Sequence, residues 1–144
     1  MGKLFYLDSN VFISFVREEM DSAFNLRFVD SERFFALCRK EKHVLLLSGL
    51  FFKEVKKVIS LDKSDILEEF ERHGIPIACT ENIPSKELVS SVIKESRIHL
   101  ADAVHVALAY ESNADAIISW NKKDFAKSKN FVKCSTPQEI LDMI

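Results

Sequence analysis

Glycine is scarce in this 144-residue chain: only Gly2, Gly49 and Gly74 occur. No glycine-rich loop that cradles a phosphate can be written from them, which excludes Walker A nucleotide hydrolases and dinucleotide-binding Rossmann enzymes. Cysteine is equally sparse, and Cys38, Cys79 and Cys134 are odd in number and far apart. They offer neither a disulfide framework nor a CxxC metal pair, so buried thiols in a reducing, cytoplasmic setting are expected. No apolar run approaches the roughly 20 residues of a membrane span. The first residues show no charged segment followed by a long apolar stretch and a cleavage site, so no secretory leader is expected. Strong charge of either sign is also missing. The net charge is −2, which by itself does not advertise a nucleic-acid partner.

What is present is an ordinary globular composition, with 47% hydrophobic and 29% charged residues. A chain of this length is expected to form one domain over residues 1–144, with a core that needs no staples. Strand-like runs fall at residues 3–7 (KLFYL), 43–48 (HVLLLS), 75–79 (IPIAC), 115–120 (DAIISW) and 131–134 (FVKC). Helical stretches alternate with them. One starts near Ser9, and SERFFALCRKEK starts another at Ser31, with Asp21–Asn25 readable as loop or helical turn. Then come GLFFKEVKKVIS, KSDILEEFERHG closed by Gly74, a helix opened by Pro84, HLADAVHVALAYES and a terminal TPQEILDMI. The alternation predicts an α/β fold, a parallel sheet of about five strands with helices on both faces. Ligand sites in such sheets form beyond the carboxyl ends of the strands, so polar residues just after strands are the first candidates.

Asp8 ends the first strand. It reads either as a cap for the next helix or as one corner of a site. Glu54 shares a helix face with Phe51, Val55 and Val58; a carboxylate there must reach solvent at the edge, pair with a cation or bind a metal. Asp102 is the only acid in LADAVHVALA, either an acid gaining from the helix dipole or a ligand. His105, one turn on, reads as a hydrogen-bonded core residue or as a ligand beside Asp102. Ser119, Asn121 and Asp124 follow the fourth strand and read as loop polar groups, a helix cap or site residues. Converging carboxylates of this kind would suit Mg²⁺ or Mn²⁺. Two lysine groups could neutralise phosphates or simply be solvated: Lys53, Lys56, Lys57 and Lys63, and Lys122, Lys123, Lys127, Lys129 and Lys133.

Four segments, YLDSNVFI, FFKEV, HLADAVHVALA and DAIISWNKKDF, occur in an order and spacing that resemble the PIN-domain ribonucleases, most of all VapC-like toxins of toxin–antitoxin pairs. The resemblance implies a Rossmann-like sheet in the order 3-2-1-4-5 and an acidic pocket for Mg²⁺ or Mn²⁺. It implies Asp8 and Asp102 as principal metal ligands, Glu54 as the third acid, and Ser9, Asn10 and Ser119 as supporting residues. Asn121 stands where many members carry a fourth acid; either Asp124 supplies the missing charge or the fourth acid is dispensable. Endoribonuclease activity leaving 5′-phosphate and 3′-hydroxyl ends, a homodimer and a small antitoxin are implied with it. Lys122, Lys123 and Lys127 are the candidate contacts to the RNA backbone. The segment from residue 12 to 35 carries six of the twelve phenylalanines and is the candidate antitoxin groove, with plain core packing as its alternative.

Two other functions compete. A haloacid-dehalogenase-like phosphatase would use Asp8 as nucleophile, but it wants a second Asp two residues on, where Asn10 stands. An RNA-binding or scaffolding PIN-like module with a degenerate site would explain Asn121.

Overall fold

Odd and even residues of the strands face different helices, and that alternation builds the molecule. A computed structural model describes residues 2–18 and 26–143. Its sheet holds β1 (Leu4–Leu7), β2 (Val44–Ser48), β3 (Ile77–Thr80), β4 (Ala116–Ile118) and β5 (Cys134–Ser135), all parallel, in the order 3-2-1-4-5. Phe5, Leu7, Leu45, Leu47, Ala116 and Ile118 face one core. That layer is closed by α1 (Ser9–Arg17), α2 (Arg27–Glu41), α3 (Gly49–Ile59), α4 (Lys63–Arg72) and α8 (Pro137–Asp142). Tyr6, Leu46 and Ile117 face the other, against α5 (Lys86–Ser96), α6 (Leu100–Glu111) and α7 (Lys122–Phe125). The period of two in each strand thus sorts side chains between two layers.

The small residues of α6 let it lie close on the sheet: Ala103, Ala107 and Ala109 have no exposed surface. On the opposite face the phenylalanines interlock. Phe12 meets Phe51 and Phe70 at centroid distances of 5.8 and 5.2 Å, and each such buried ring contributes about 1.5–3 kcal/mol through area removed from water. Among the described residues no helix is long and apolar enough to cross a membrane.

Several boundaries differ from the sequence expectation for identifiable reasons. α2 starts at Arg27 rather than Ser31, whose hydroxyl is buried in the helix body 3.1 Å from that of Ser14. β3 starts at Ile77 rather than Ile75. Pro76 has no N–H for the ladder, and Ile75 is tied back to α4 through its amide bond to the Phe70 carbonyl. Gly74, at φ 66°, and Ile75 close α4 in a Schellman motif. α5 starts at Lys86 rather than Pro84, capped by Ser85, whose hydroxyl accepts from the Leu88 amide. The lysine-rich loop is α7 followed by a 3₁₀ turn (Ala126–Ser128), pinned by the buried ring of Phe125. The amides of Phe131 and Val132 bond back to Ser128, so β5 begins only at Cys134. Of the three thiols only Cys38 is buried; Cys134 is half-buried and Cys79, on edge strand β3, is exposed. The expectation for Asp21–Asn25 lies outside the described residues.

Candidate metal centre

The carboxyl ends of β1 and β4 lie side by side, joined by the Asp8 amide bond to the Ile118 carbonyl at 3.0 Å. Asp8 therefore leaves β1 beside Ser119, which leaves β4. Asp8 occupies the N-cap position of α1, yet its side chain makes no capping hydrogen bond. Its carboxylate turns instead to Ser119, whose hydroxyl donates to Oδ2 at 2.6 Å. With only 8% of Asp8 exposed, burial pushes its pKa above the ordinary value. The Ser119 bond, His105 and the Asn10 amide pull the other way, and nearby Glu54 adds to the rise.

Ser119 has no exposed surface and uses all of its hydrogen-bonding capacity. Besides donating to Asp8, its oxygen accepts from Asn10 Nδ2 at 3.2 Å and from the Asn121 amide at 3.0 Å. Asn10 completes the clamp by accepting the Trp120 amide through Oδ1 at 3.2 Å. Ser9, Asn10 and Ser119 are thus all brought to Asp8. The Asn121 side chain, at the start of α7, is exposed, and only its backbone joins this network.

Glu54 reaches the same place from α3. The Ser9 hydroxyl lies between the two acids, 3.2 Å from Glu54 Oε1 and 3.4 Å from Asp8 Oδ1. Phe51 and Val55 are buried beside Glu54, while Val58 at the end of the stripe is 42% exposed. On its other side Glu54 Oε1 is 3.5 Å from His105 Nε2. His105 is a buried, hydrogen-bonded residue whose Nδ1 is 2.6 Å from the Tyr6 hydroxyl, and that hydroxyl is 3.0 Å from Ser48 Oγ. With the ring neutral, the Tyr6 proton goes to Nδ1 and Nε2–H faces Glu54. With the ring charged, Nδ1–H donates to Tyr6, which donates to Ser48. Burial works against the charged ring, but Glu54, Asp8 and Asp102 together hold the His105 pKa above its ordinary value. The sequence reading missed Tyr6 and Ser48. Tyr6 stands two residues before Asp8, hence on the same strand face, and that parity was the available signal.

Asp102 enters from the first turn of α6 and is half-buried. Burial raises its pKa first, then Asp124; His105 and His99 lower it, and Asp8 raises it. Asp124 lies inside α7 rather than capping it. Asp102 and Asp124 line a cavity of about 180 Å³ together with Arg97, His99, Lys123 and Lys127. Lys122 is engaged elsewhere, in an ion pair with Glu139.

Among the described residues, no three His, Cys, Asp or Glu side chains are grouped so as to hold an ion directly. The donor chemistry is nonetheless that of a hard cation. Asp8 after β1 and acids on α3, α6 and α7 perturb one another electrostatically, and Mg²⁺ keeps several waters, so one or two carboxylates suffice to bind it. The residues fit a hydrated divalent ion.

The phenylalanine-rich segment divides. Phe12, Phe34 and Phe35 are core residues, and Phe24 lies outside the described residues. Phe15 and Phe28, with Val16 and Leu61, line a groove of about 500 Å³. Its rim carries Glu18, Glu32, Asp65, Glu68 and Glu69 against a single Arg72.

A family model described as the PIN domain matches residues 5–123. Among curated proteins none matches the sequence significantly. Solved structures with the same fold include a PilT N-terminus domain protein from the archaeon Sulfolobus solfataricus P2, 11% identical, covering 97% of this chain and 92% of its own, with a TM-score of 0.55. A toxin–antitoxin complex from Klebsiella pneumoniae aligns at 17% identity over 92% of this chain and 96% of its own, TM-score 0.57. A protein from Pyrobaculum aerophilum aligns at 14% identity over 99% and 97%, TM-score 0.56. At these identities the likeness is one of fold.

Proposed function

Because the chain belongs to the PIN-domain family, we propose that it is a Mg²⁺- or Mn²⁺-dependent endoribonuclease that hydrolyses RNA phosphodiester bonds. One observation carries the reading: Asp8 is buried at the junction of β1 and β4, in a cap position where its carboxylate does not cap, and burial, with Glu54 beside it, raises its pKa. An ionised carboxylate in that setting is costly without a cation. Asp8 and Asp102 would be the principal ligands, with Glu54 as the third acid and Asp124 beside them. A bound divalent ion would supply an acidified water and would neutralise charge on the phosphodiester. The chain's own part is to hold the acids: Ser119 and Ser9 orient Asp8, and His105 holds Glu54.

The two rivals are weighed by the same geometry. An aspartyl-phosphate mechanism at Asp8 needs an acid two residues on, and Asn10 there is occupied with Ser119 and Trp120. A degenerate binding module has no use for a costly buried acid. The test is cleavage of an end-labelled RNA with Mn²⁺, with Mg²⁺ and with chelator. Metal-dependent products bearing 5′-phosphates are expected, and no cleavage with either ion would return the chain to the binding module.

A toxin role extends the reading. It is supported by the fold shared with a toxin–antitoxin complex and by the apolar, acid-rimmed groove at Phe15 and Phe28, which suits a small antitoxin with an amphipathic, basic segment. A homodimer belongs to the same proposal; Ile83 and Leu100, 89% and 64% exposed, are apolar surfaces that a second copy would cover. Coexpression with the product of any adjacent small reading frame should suppress cleavage. Glu32→Lys with Glu68→Lys should release that suppression while leaving cleavage intact.

A further inference from the structure

The cavity beside Asp102 mixes charges of both signs. Asp102 and Asp124 line it together with Arg97, Lys123 and Lys127, with His99 at the turn between α5 and α6. Such neighbours would ordinarily pair. Yet among the described residues Arg97, Lys123 and Lys127 form no ion pair, whereas Lys56, Lys63 and Lys122 on the same molecule each find a carboxylate. The cations come from three separate places: the C-cap of α5, α7 and the 3₁₀ turn after it. Arg97 is held there by a left-handed backbone, φ 54°, stabilised by its amide bond to the Ile93 carbonyl. The amino end of α6 opens at the same cavity, and the His99 side chain does not cap it.

We infer that this cleft is a phosphate subsite for single-stranded nucleic acid, in which Arg97, Lys123 and Lys127 grip a backbone phosphate next to the one being cleaved. The inference rests on the nuclease reading and deepens it. The three cations outnumber the two carboxylates of the cavity and, forming no ion pair among the described residues, remain open to a phosphate oxygen. Guanidinium and ammonium groups are well matched to that anion. The amino end of α6 adds its partial positive charge. Recognition of this kind reads backbone, not base, and so positions the strand without choosing its sequence. It also separates the lysines, assigning Lys123 and Lys127 to the strand and Lys122 to Glu139.

The test uses Arg97→Gly, Lys127→Ala and the double variant, with Lys57→Ala on α3 as control. Glycine suits the left-handed position of Arg97, so the first variant removes the guanidinium while favouring the backbone. An unchanged or raised melting temperature should verify that it folds. Binding of a labelled eight-nucleotide single-stranded RNA is followed by anisotropy against salt, in chelator, and cleavage kinetics are followed in Mn²⁺. The double variant should bind at least about tenfold more weakly, and its slope of log affinity against log salt should be shallower by about 1.4, the loss of two phosphate contacts on a single strand. KM should rise while kcat holds, with Lys57→Ala behaving as wild type. Wild-type affinity, slope and KM in the double variant would overturn the subsite even if the protein cleaves RNA. If binding is lost as expected but the wild type cleaves nothing in metal, the subsite stands and the nuclease reading falls.

Discussion

The Ser119 hydroxyl donates to Asp8 Oδ2 at 2.6 Å, across two strands whose sequence positions are 111 apart. This bond opposes the effect of burial on Asp8, favouring the ionised form that a metal requires. The same oxygen accepts from Asn10 and from the Asn121 amide, so one side chain fixes both the charge of Asp8 and the path of the chain after β4.

Ser119→Ala removes the donor and strands two part-buried hydrogen-bond donors, Asn10 Nδ2 and the Asn121 amide. A loss of about 1–3 kcal/mol of stability is expected. The Asp8 pKa should climb further, so Mn²⁺ affinity measured calorimetrically across pH should shift its midpoint upward. An unmoved midpoint would show that Ser119 is structural only.

Tyr6→Phe makes a different cut. It leaves His105 Nδ1 without its hydroxyl partner and Ser48 Oγ with only the Phe51 amide, at a cost of about 1–3 kcal/mol for a buried group left unsatisfied. Because Asp8 is untouched, Mn²⁺ affinity should hold. Cleavage should slow, since His105 no longer keeps Glu54 in place. Full activity in this variant would remove the Tyr6–His105 pair from the support of the site.

These two residues mark where legibility in the sequence ended. Asp8 and Ser119 were readable because the rule of carboxyl-end sites points to polar residues just after strands; Asn10 came from the family resemblance, which the strand order matched. Tyr6 and His105, 99 positions apart, meet only because α6 lies against β1, a contact that no local pattern reports. Arg97 was invisible for another reason. Its placement depends on a left-handed backbone that propensity would give to glycine, and this chain, short of glycine, ends α1, α2, α3 and α5 on Glu18, Lys42, Ser60 and Arg97 instead. Lys122 looked no different from Lys123 until α8 brought Glu139 to it.

Lys122→Ala tests that separation. The pair with Glu139 is half-exposed, so its loss should cost no more than about 1 kcal/mol. The Lys122 hydrogen bond holds the Glu139 carboxyl below its ordinary pKa. The pair's contribution is therefore present above the ordinary glutamate value and lost as pH falls through the depressed one. RNA affinity and its salt slope should match wild type. A shallower slope would put Lys122 back on the nucleic acid.

Asp8→Asn asks whether the buried acid serves a metal. Asp8 makes no capping bond, and Asn can still accept from Ser119, so shape and local structure survive. The folded pKa of Asp8 is raised, which fixes the sign of its effect on stability. Below the ordinary aspartate value of about 4 the acid is neutral in both folded and unfolded chains, and variant and wild type should melt together. As pH rises through the raised folded value, wild-type Asp8 ionises at a cost and the wild type loses stability that the asparagine protein keeps. In chelator the melting-temperature difference should grow across that window in favour of the variant and then level off. Mg²⁺ or Mn²⁺ should reverse the order. Free ion at 100 times its dissociation constant stabilises the wild type by about 2.7 kcal/mol, and the variant, lacking the charge, should gain far less. RNA cleavage should be largely lost although the protein melts higher without metal. Equal cleavage, or an equal metal-induced shift in both proteins, would sink the metal role of Asp8.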